Sequence, residues 1–172
     1  FNYAKTNNKD IHFLGLLSNG GVHSHINHLM GLIDAAEEAG VKNSYVHGFT
    51  DGRDVDPKSG ASFIEQLQSH IKNTHTKIAT ISGRYYAMDR DKRWERIKLV
   101  YDALVNGIGE STYDITASVK NNYAKDVTDE FIKPIIAVDE NNVPVTKVKE
   151  GDVIIFFNFR TDRGRELTQA LS

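Results

Sequence analysis

Arginine, aspartate and histidine crowd into four short stretches of this chain of 172 residues. They are Ser18-Asn19-Gly20-Gly21-Val22-His23, Asp51-Gly52-Arg53-Asp54, Gly83-Arg84 running on to Asp89-Arg90, and Asn158-Phe159-Arg160-Thr161-Asp162-Arg163. Each follows a run that reads as a buried strand. Arginine's planar fork donates two parallel hydrogen bonds to a carboxylate or phosphate and keeps its charge at every physiological pH. Loops that bring several arginines to one place point to a small polyanionic ligand.

Each stretch also has a plainer reading. In Asp51-Gly52-Arg53-Asp54, Gly52 permits a tight turn. Arg53 can then clamp an anion while Asp54 accepts a hydroxyl proton; the same residues would equally make a common turn with a local ion pair. Arg84 and Arg90 precede a helix that opens with Lys92, Arg93 and Arg96. Positive charge in a first helical turn opposes the macrodipole. Asp89 and Asp91 offset part of it, and an anionic ligand would offset more. Arg93 and Arg96 read instead as partners along the helix. Arg160 and Arg163 follow the most apolar run, where dense charge is costly without a partner. Asp162 there either caps the next helix or orients an arginine.

His23 and His25 form a His-x-His pair that could ligate a metal. The alternative is one ligand-contacting histidine beside ordinary helix histidines. A metal needs further ligands at later strand ends, and those ends offer mostly arginine, which repels cations. His12, His47, His70 and His75 carry no specific signal.

The elements that must position these loops follow from hydrophobic periodicity. Strands are expected at residues 10–17, 43–50, 77–82, 133–138, 143–148 and 153–157. Helices are expected at 24–39, after Ser59 with Phe63, Leu67 and Ile71 on one face, at 91–108, at 111–126 and from 163 onward. In the helix at 91–108, Trp94, Ile97, Tyr101, Leu104, Val105 and Ile108 form one stripe. Strand–helix alternation, three times over, implies an α/β layered sandwich with a mainly parallel sheet. The middle section leaves room for antiparallel strands at one edge. In such a sheet the strand ends converge on one crevice, where ligands bind.

Composition bounds the class. The net charge of −2 argues against a nucleic-acid binder, so any positive site must be local. There is no cysteine, hence no disulfide framework and no thiolate chemistry. No apolar run is long enough to cross a bilayer as a helix, and the expected location is the cytoplasm. The chain opens at Phe1 and stops at Ser172 inside a helical pattern. It reads as one domain, residues 1–172, cut from a longer polypeptide.

At the four loops the sequence closely resembles cofactor-independent (2,3-bisphosphoglycerate-independent) phosphoglycerate mutase. The matching stretches are residues 17–25, 49–54, 82–91 and 158–163, in the same order and spacing. The resemblance implies the substrate-binding, or phosphotransferase, domain of a two-domain glycolytic isomerase. It implies substrate contacts from His23, Arg53, Asp54, Arg84, Arg90, Arg160 and Arg163, with Asp54 accepting and returning the hydroxyl proton. It further implies that 3-phosphoglycerate and 2-phosphoglycerate interconvert through a phosphoserine on a separate alkaline-phosphatase-like domain. That domain would hold two manganese ions, and no metal ligand is expected in this chain. The expected partners are the small-molecule substrate and the phosphatase-like domain in cis; a monomer is expected, with no nucleic acid or membrane. Alone, the chain is expected to bind substrate weakly and not to catalyse. Two other readings stand beside this one: a self-contained metal-dependent hydrolase using His23 and His25, and a non-catalytic anion-binding module.

Overall fold

A computed structural model describes all residues, 1–172. Its centre is a six-stranded sheet in the order β4-β5-β3-β2-β1-β6. The strands are β1 (Ile11–Leu17), β2 (Ser44–Thr50), β3 (Thr76–Gly83), β4 (Glu110–Thr112), β5 (Ile135–Ala137) and β6 (Val153–Phe156). The helices are α1 (Asn2–Asn7), α2 (Ile26–Glu38), α3 (Gly60–Ile71), α4 (Arg84–Ala87), α5 (Trp94–Tyr101), α6 (Ile115–Ala124) and α7 (Arg165–Leu171). Every residue of β1 is buried, as a parallel strand covered on both faces requires. Its alternate residues feed two cores. Ile11, Phe13 and Leu17 join the side chains of α2, α3 and α6. Leu14 and Leu16 join Ala87, Ile97, Val100 and Leu167 from α4, α5 and α7.

β1 pairs in parallel with β2 on one side and β6 on the other, and β2 pairs in parallel with β3. The chain thus winds outward from β1 through β2 to β3 and later returns to β1's other edge. The reversal puts a crevice at the carboxyl ends of β1 and β6. The loops leaving those strands are stitched together there, with the amides of Phe159 and Arg160 donating to the His23 carbonyl at 2.9 and 3.3 Å. The expected layered sandwich is present, with one antiparallel pair, β3 with β5.

Several elements depart from expectation. Residues 143–148 are not a strand; they contribute one bridge, Val138 to Pro144, and proline removes a ladder donor. Residues 110–112 form β4 instead of opening a helix, and α6 starts only after Asp114, whose side chain accepts from the Ala117 amide. The expected helix 91–108 begins at Trp94, because residues 89–93 are a loop, and its last turn is a π segment, Asp102–Asn106, stopped by left-handed Gly107. The stripe is only partly core: Ile97 and Leu104 are buried, whereas Trp94 and Ile108 are exposed. No helix is long and apolar enough to cross a membrane.

Candidate functional site

β3 runs straight into α4, so Arg84 follows the last strand residue, Gly83, with no intervening loop. Its side chain is 4% exposed and points back over the end of β2. There one guanidinium nitrogen donates to Asp51 at 2.7 Å and to Asp54 at 2.6 Å, and another reaches Nε2 of His23 at 3.0 Å. Asp51 is equally enclosed, and one of its oxygens also accepts the amides of Arg53 and Asp54, at 3.1 and 3.0 Å. Burial alone would raise the Asp51 carboxyl. The Asp54 amide, the Ser18 hydroxyl and Arg84 outweigh it and hold the group below its ordinary range. For Arg84, burial opposes the charge, and Asp54 and Asp51 more than restore it. Three of the four loops are therefore locked together through one arginine.

That lock decides between the readings of the histidines. Guanidinium only donates, so Nε2 of His23 must accept and the ring hydrogen sits on Nδ1. Burial, then Arg84, keeps His23 neutral by lowering its pKa. Nδ1 of His25 accepts from the Asn27 amide and caps α2. With one ring nitrogen turned to a guanidinium and the other spent on a cap, the pair makes a poor metal clamp. A His/Asp cluster that could hold an ion, Asp10, His12 and Asp152, lies away from these loops, near the start of β1. Its groups are already engaged, His12 with His47 and Asp152, and Asp152 with the amides of Asp10 and Lys149. The residues at the arginine loops do not fit a catalytic metal.

Beside the lock opens a cleft of about 330 Å³ lined by five arginines: Arg53, Arg84, Arg90, Arg96 and Arg163. Arg53 lies 3.5 Å from Glu130. Arg90 donates to Asp162 at 3.1 Å. Arg160 lies outside the cleft lining but shares Asp162 with Arg90, its Nε and a terminal nitrogen 3.0 and 3.2 Å from the two oxygens. Burial would raise Asp162, but Arg160 and Arg90 prevail and lower it. Arg163 differs from all of these. It makes no carboxylate pair, and its hydrogen bond goes to the Met88 carbonyl at 3.3 Å. Burial, then Arg90, Arg84 and Arg53, depress its pKa. A half-buried cation facing three others is a site for an anion.

The family described as BPG-independent PGAM N-terminus matches residues 1–172. The chain belongs to that family. It is 66% identical to the 2,3-bisphosphoglycerate-independent phosphoglycerate mutase of Flavobacterium johnsoniae, over all of this chain and 34% of that protein. It is 58% identical to the mutase of Parabacteroides distasonis over the same shares. A Leishmania mexicana phosphoglycerate mutase, solved at low cobalt concentration, superposes with a TM-score of 0.90 at 33% identity, covering 94% of this chain and 31% of that one. The chain thus spans about a third of the length of the curated relatives it matches.

Within this mutase-family domain, sequence reasoning missed several contributors. Arg96 does not pair along its helix. It bonds Asp89, seven residues back, at 3.0 Å, and its guanidinium stacks 3.8 Å over the Tyr85 ring in the cleft. The turn Asp129–Phe131 was not foreseen. Asp129 is fully buried, accepts the Gly60 amide at 2.7 Å and the Tyr123 hydroxyl, and its carbonyl accepts from Thr50. Glu130 and Phe131 thereby reach the cleft wall. Gly83 makes this docking possible, since a Cβ there would lie 2.2 Å from the Glu130 carbonyl oxygen. The only local signal was the glycine itself.

Proposed function

We propose that this chain is the substrate-holding domain of a 2,3-bisphosphoglycerate-independent phosphoglycerate mutase, an isomerase that interconverts 3-phosphoglycerate and 2-phosphoglycerate in glycolysis. The observation that carries the reading is Arg163, a partly buried guanidinium without a carboxylate, facing Arg90, Arg84 and Arg53. Glycerate must stay bound through its carboxylate while its two hydroxyls exchange places. Arginines from several loops suit that task, because they grip oxygens from different directions. His23, Arg53, Asp54, Arg84, Arg90, Arg160 and Arg163 are the proposed substrate residues. Arg163, Arg90 and Arg53 contact the ligand's anionic groups in this scheme, and Arg160 joins them through Asp162, which it shares with Arg90. Arg84 holds Asp54 and His23 in place at 2.6 and 3.0 Å, and Asp54 accepts and returns the hydroxyl proton.

The nucleophile and any catalytic metal are assigned to a second, phosphatase-like domain in cis, with manganese the expected ion. This chain's donor set supports that division, since its cleft presents cations to an anion. The proposed setting is a cytoplasmic monomer. The test is an NMR titration of the 172-residue chain with 3-phosphoglycerate, without added metal. Shifts centred on Arg53, Arg84, Arg90 and Arg163 support the reading; shifts elsewhere, or none at millimolar ligand, count against this chain as the holder. Turnover of 3-phosphoglycerate by the full-length protein, lost in Arg163→Ala, separates a mutase from a mere anion-binding module.

A further inference from the structure

Lys92 adopts φ +57° without being a glycine. It lies between Arg90 and α5, in the loop on one wall of the arginine cleft. A left-handed lysine meets a steric penalty and persists only where its surroundings over-determine it. Here they do. The Lys92 amide donates to one oxygen of Glu166 at 2.9 Å. The amides of Asp91 and Arg93 both donate to Asp89 at 2.9 Å, and Arg96 donates to its other oxygen at 3.0 Å.

Asp89 and Glu166 are both buried, 3% and 8% exposed. Between them they accept the amides of three consecutive loop residues, 91 to 93, and no donor reaches Oε2 of Glu166, which is shut off from solvent. The two carboxyls respond oppositely to their surroundings. Burial would raise Asp89, but two amides, Glu166 and Arg96 lower it. Burial raises Glu166; the Lys92 amide opposes, and Asp89 and Asp91 add to the rise.

We propose that Glu166 is a positioning residue for the anion cleft: by accepting the Lys92 amide it latches the Arg90 loop, which Asp89 folds from within, onto α7, the helix that follows Arg160 and Arg163. The inference rests on the mutase reading for its function and on the contacts above for its geometry. With the latch closed, Arg90 reaches Asp162 and Arg163 reaches the Met88 carbonyl, so two loops shut on one cleft. Without the Glu166 acceptor the Lys92 amide loses its partner and the loop is no longer tied to α7.

The test compares wild type, Glu166→Gln and Glu166→Ala in the full-length protein, with 3-phosphoglycerate as substrate at pH 7. Glutamine still accepts from Lys92. The expected result is a Glu166→Gln KM within about two-fold of wild type and a Glu166→Ala KM raised about five-fold or more with kcat little changed. A Glu166→Ala KM equal to that of wild type overturns the latch; if that variant fails to fold, the Lys92 amide of wild type decides, and its lack of protection from exchange overturns the latch as well. Amide exchange of residues 88–94 at pH 7 needs no turnover: slow in wild type and Glu166→Gln, at least ten-fold faster in Glu166→Ala. If the protein lacks mutase turnover, the functional reading fails. The exchange comparison then decides the latch by itself, and equal rates in all three proteins reject it.

Discussion

Arg84 donates a hydrogen bond to Nε2 of His23 over 3.0 Å. Because guanidinium has nothing to accept with, this contact fixes the tautomer of the histidine. The ring must carry its hydrogen on Nδ1 and remain neutral, since protonating Nε2 would face a buried cation. We expect ¹⁵N NMR of the chain to show a protonated Nδ1 and an unprotonated Nε2. That state should persist below the ordinary histidine range, in keeping with the lowered pKa. In Arg84→Gln the ring should titrate nearer its ordinary value. A His23 ring that charges normally in wild type would remove the lock from the site.

Arg163 offers a separation of function from stability. Its guanidinium has no carboxylate partner and is repelled by Arg90, Arg84 and Arg53. Arg163→Ala should therefore leave the urea midpoint of the chain unchanged or slightly raised. A desolvated contact between a charged side chain and a ligand anion is worth about 2–4 kcal/mol, so kcat/KM of the full-length protein should fall about 30- to 1000-fold. Arg163→Lys should recover only part, because an ammonium lacks the planar fork. A large loss of stability with unchanged kcat/KM would assign Arg163 to the scaffold.

What was legible in the sequence was local. β1, β2, β3 and β6 are short apolar runs ended by turn residues, and all four appear within a few residues of their expected bounds. The arginine loops follow from those strand ends, and four of the expected arginines do line one cleft. The wall built by Glu130 and Phe131 was not legible, because its anchors, Thr50, Gly60 and Gly83, lie roughly fifty to eighty residues away in the chain. Nor was the His12–His47 contact, since a single histidine inside an apolar run has no periodicity of its own. Residues 143–148 alternate like a strand, but burial and pairing, which decide strand formation, come from neighbours that this segment lacks.

Two glycine substitutions should move stability in opposite directions. At Gly83 a methyl group would sit 2.2 Å from the Glu130 carbonyl oxygen and 2.7 Å from that of Asp129, both backbone atoms. Gly83→Ala must push the Asp129–Phe131 turn away from the strand ends, at a cost of about 1–3 kcal/mol. It should also weaken ligand binding, because Glu130 and Phe131 leave the cleft wall. Gly31 lies exposed within α2, and a Cβ there meets nothing within 4 Å. Gly31→Ala should stabilise the chain by about 0.5–1 kcal/mol through helix propensity alone. Equal effects at both positions, read from urea midpoints, would contradict the docking of the turn.

Acid should destabilise the chain through the sheet interior. His12 and His47 touch at 2.9 Å, His47 also reaches the Thr80 hydroxyl at 2.9 Å, and both rings are fully buried. Burial lowers the pKa of each, foremost for His47, which His12 lowers further; Asp152 partly opposes the shift at His12. In the unfolded chain both regain ordinary values near 6.5. Below that pH the unfolded state binds more protons than the folded state, so stability falls as the pH drops. Above it the contribution is fully present. Each histidine that stays neutral in the fold adds a slope of about 1.4 kcal/mol per pH unit. The urea midpoint should accordingly hold steady from pH 8 to 7 and decline steeply from pH 6 to 5. His47→Gln keeps a polar side chain between His12 and Thr80 but cannot titrate. It should lower stability at pH 7 and flatten the acid slope by about one proton. An unchanged slope in that variant would show that other groups, and not the buried pair, govern the acid limb.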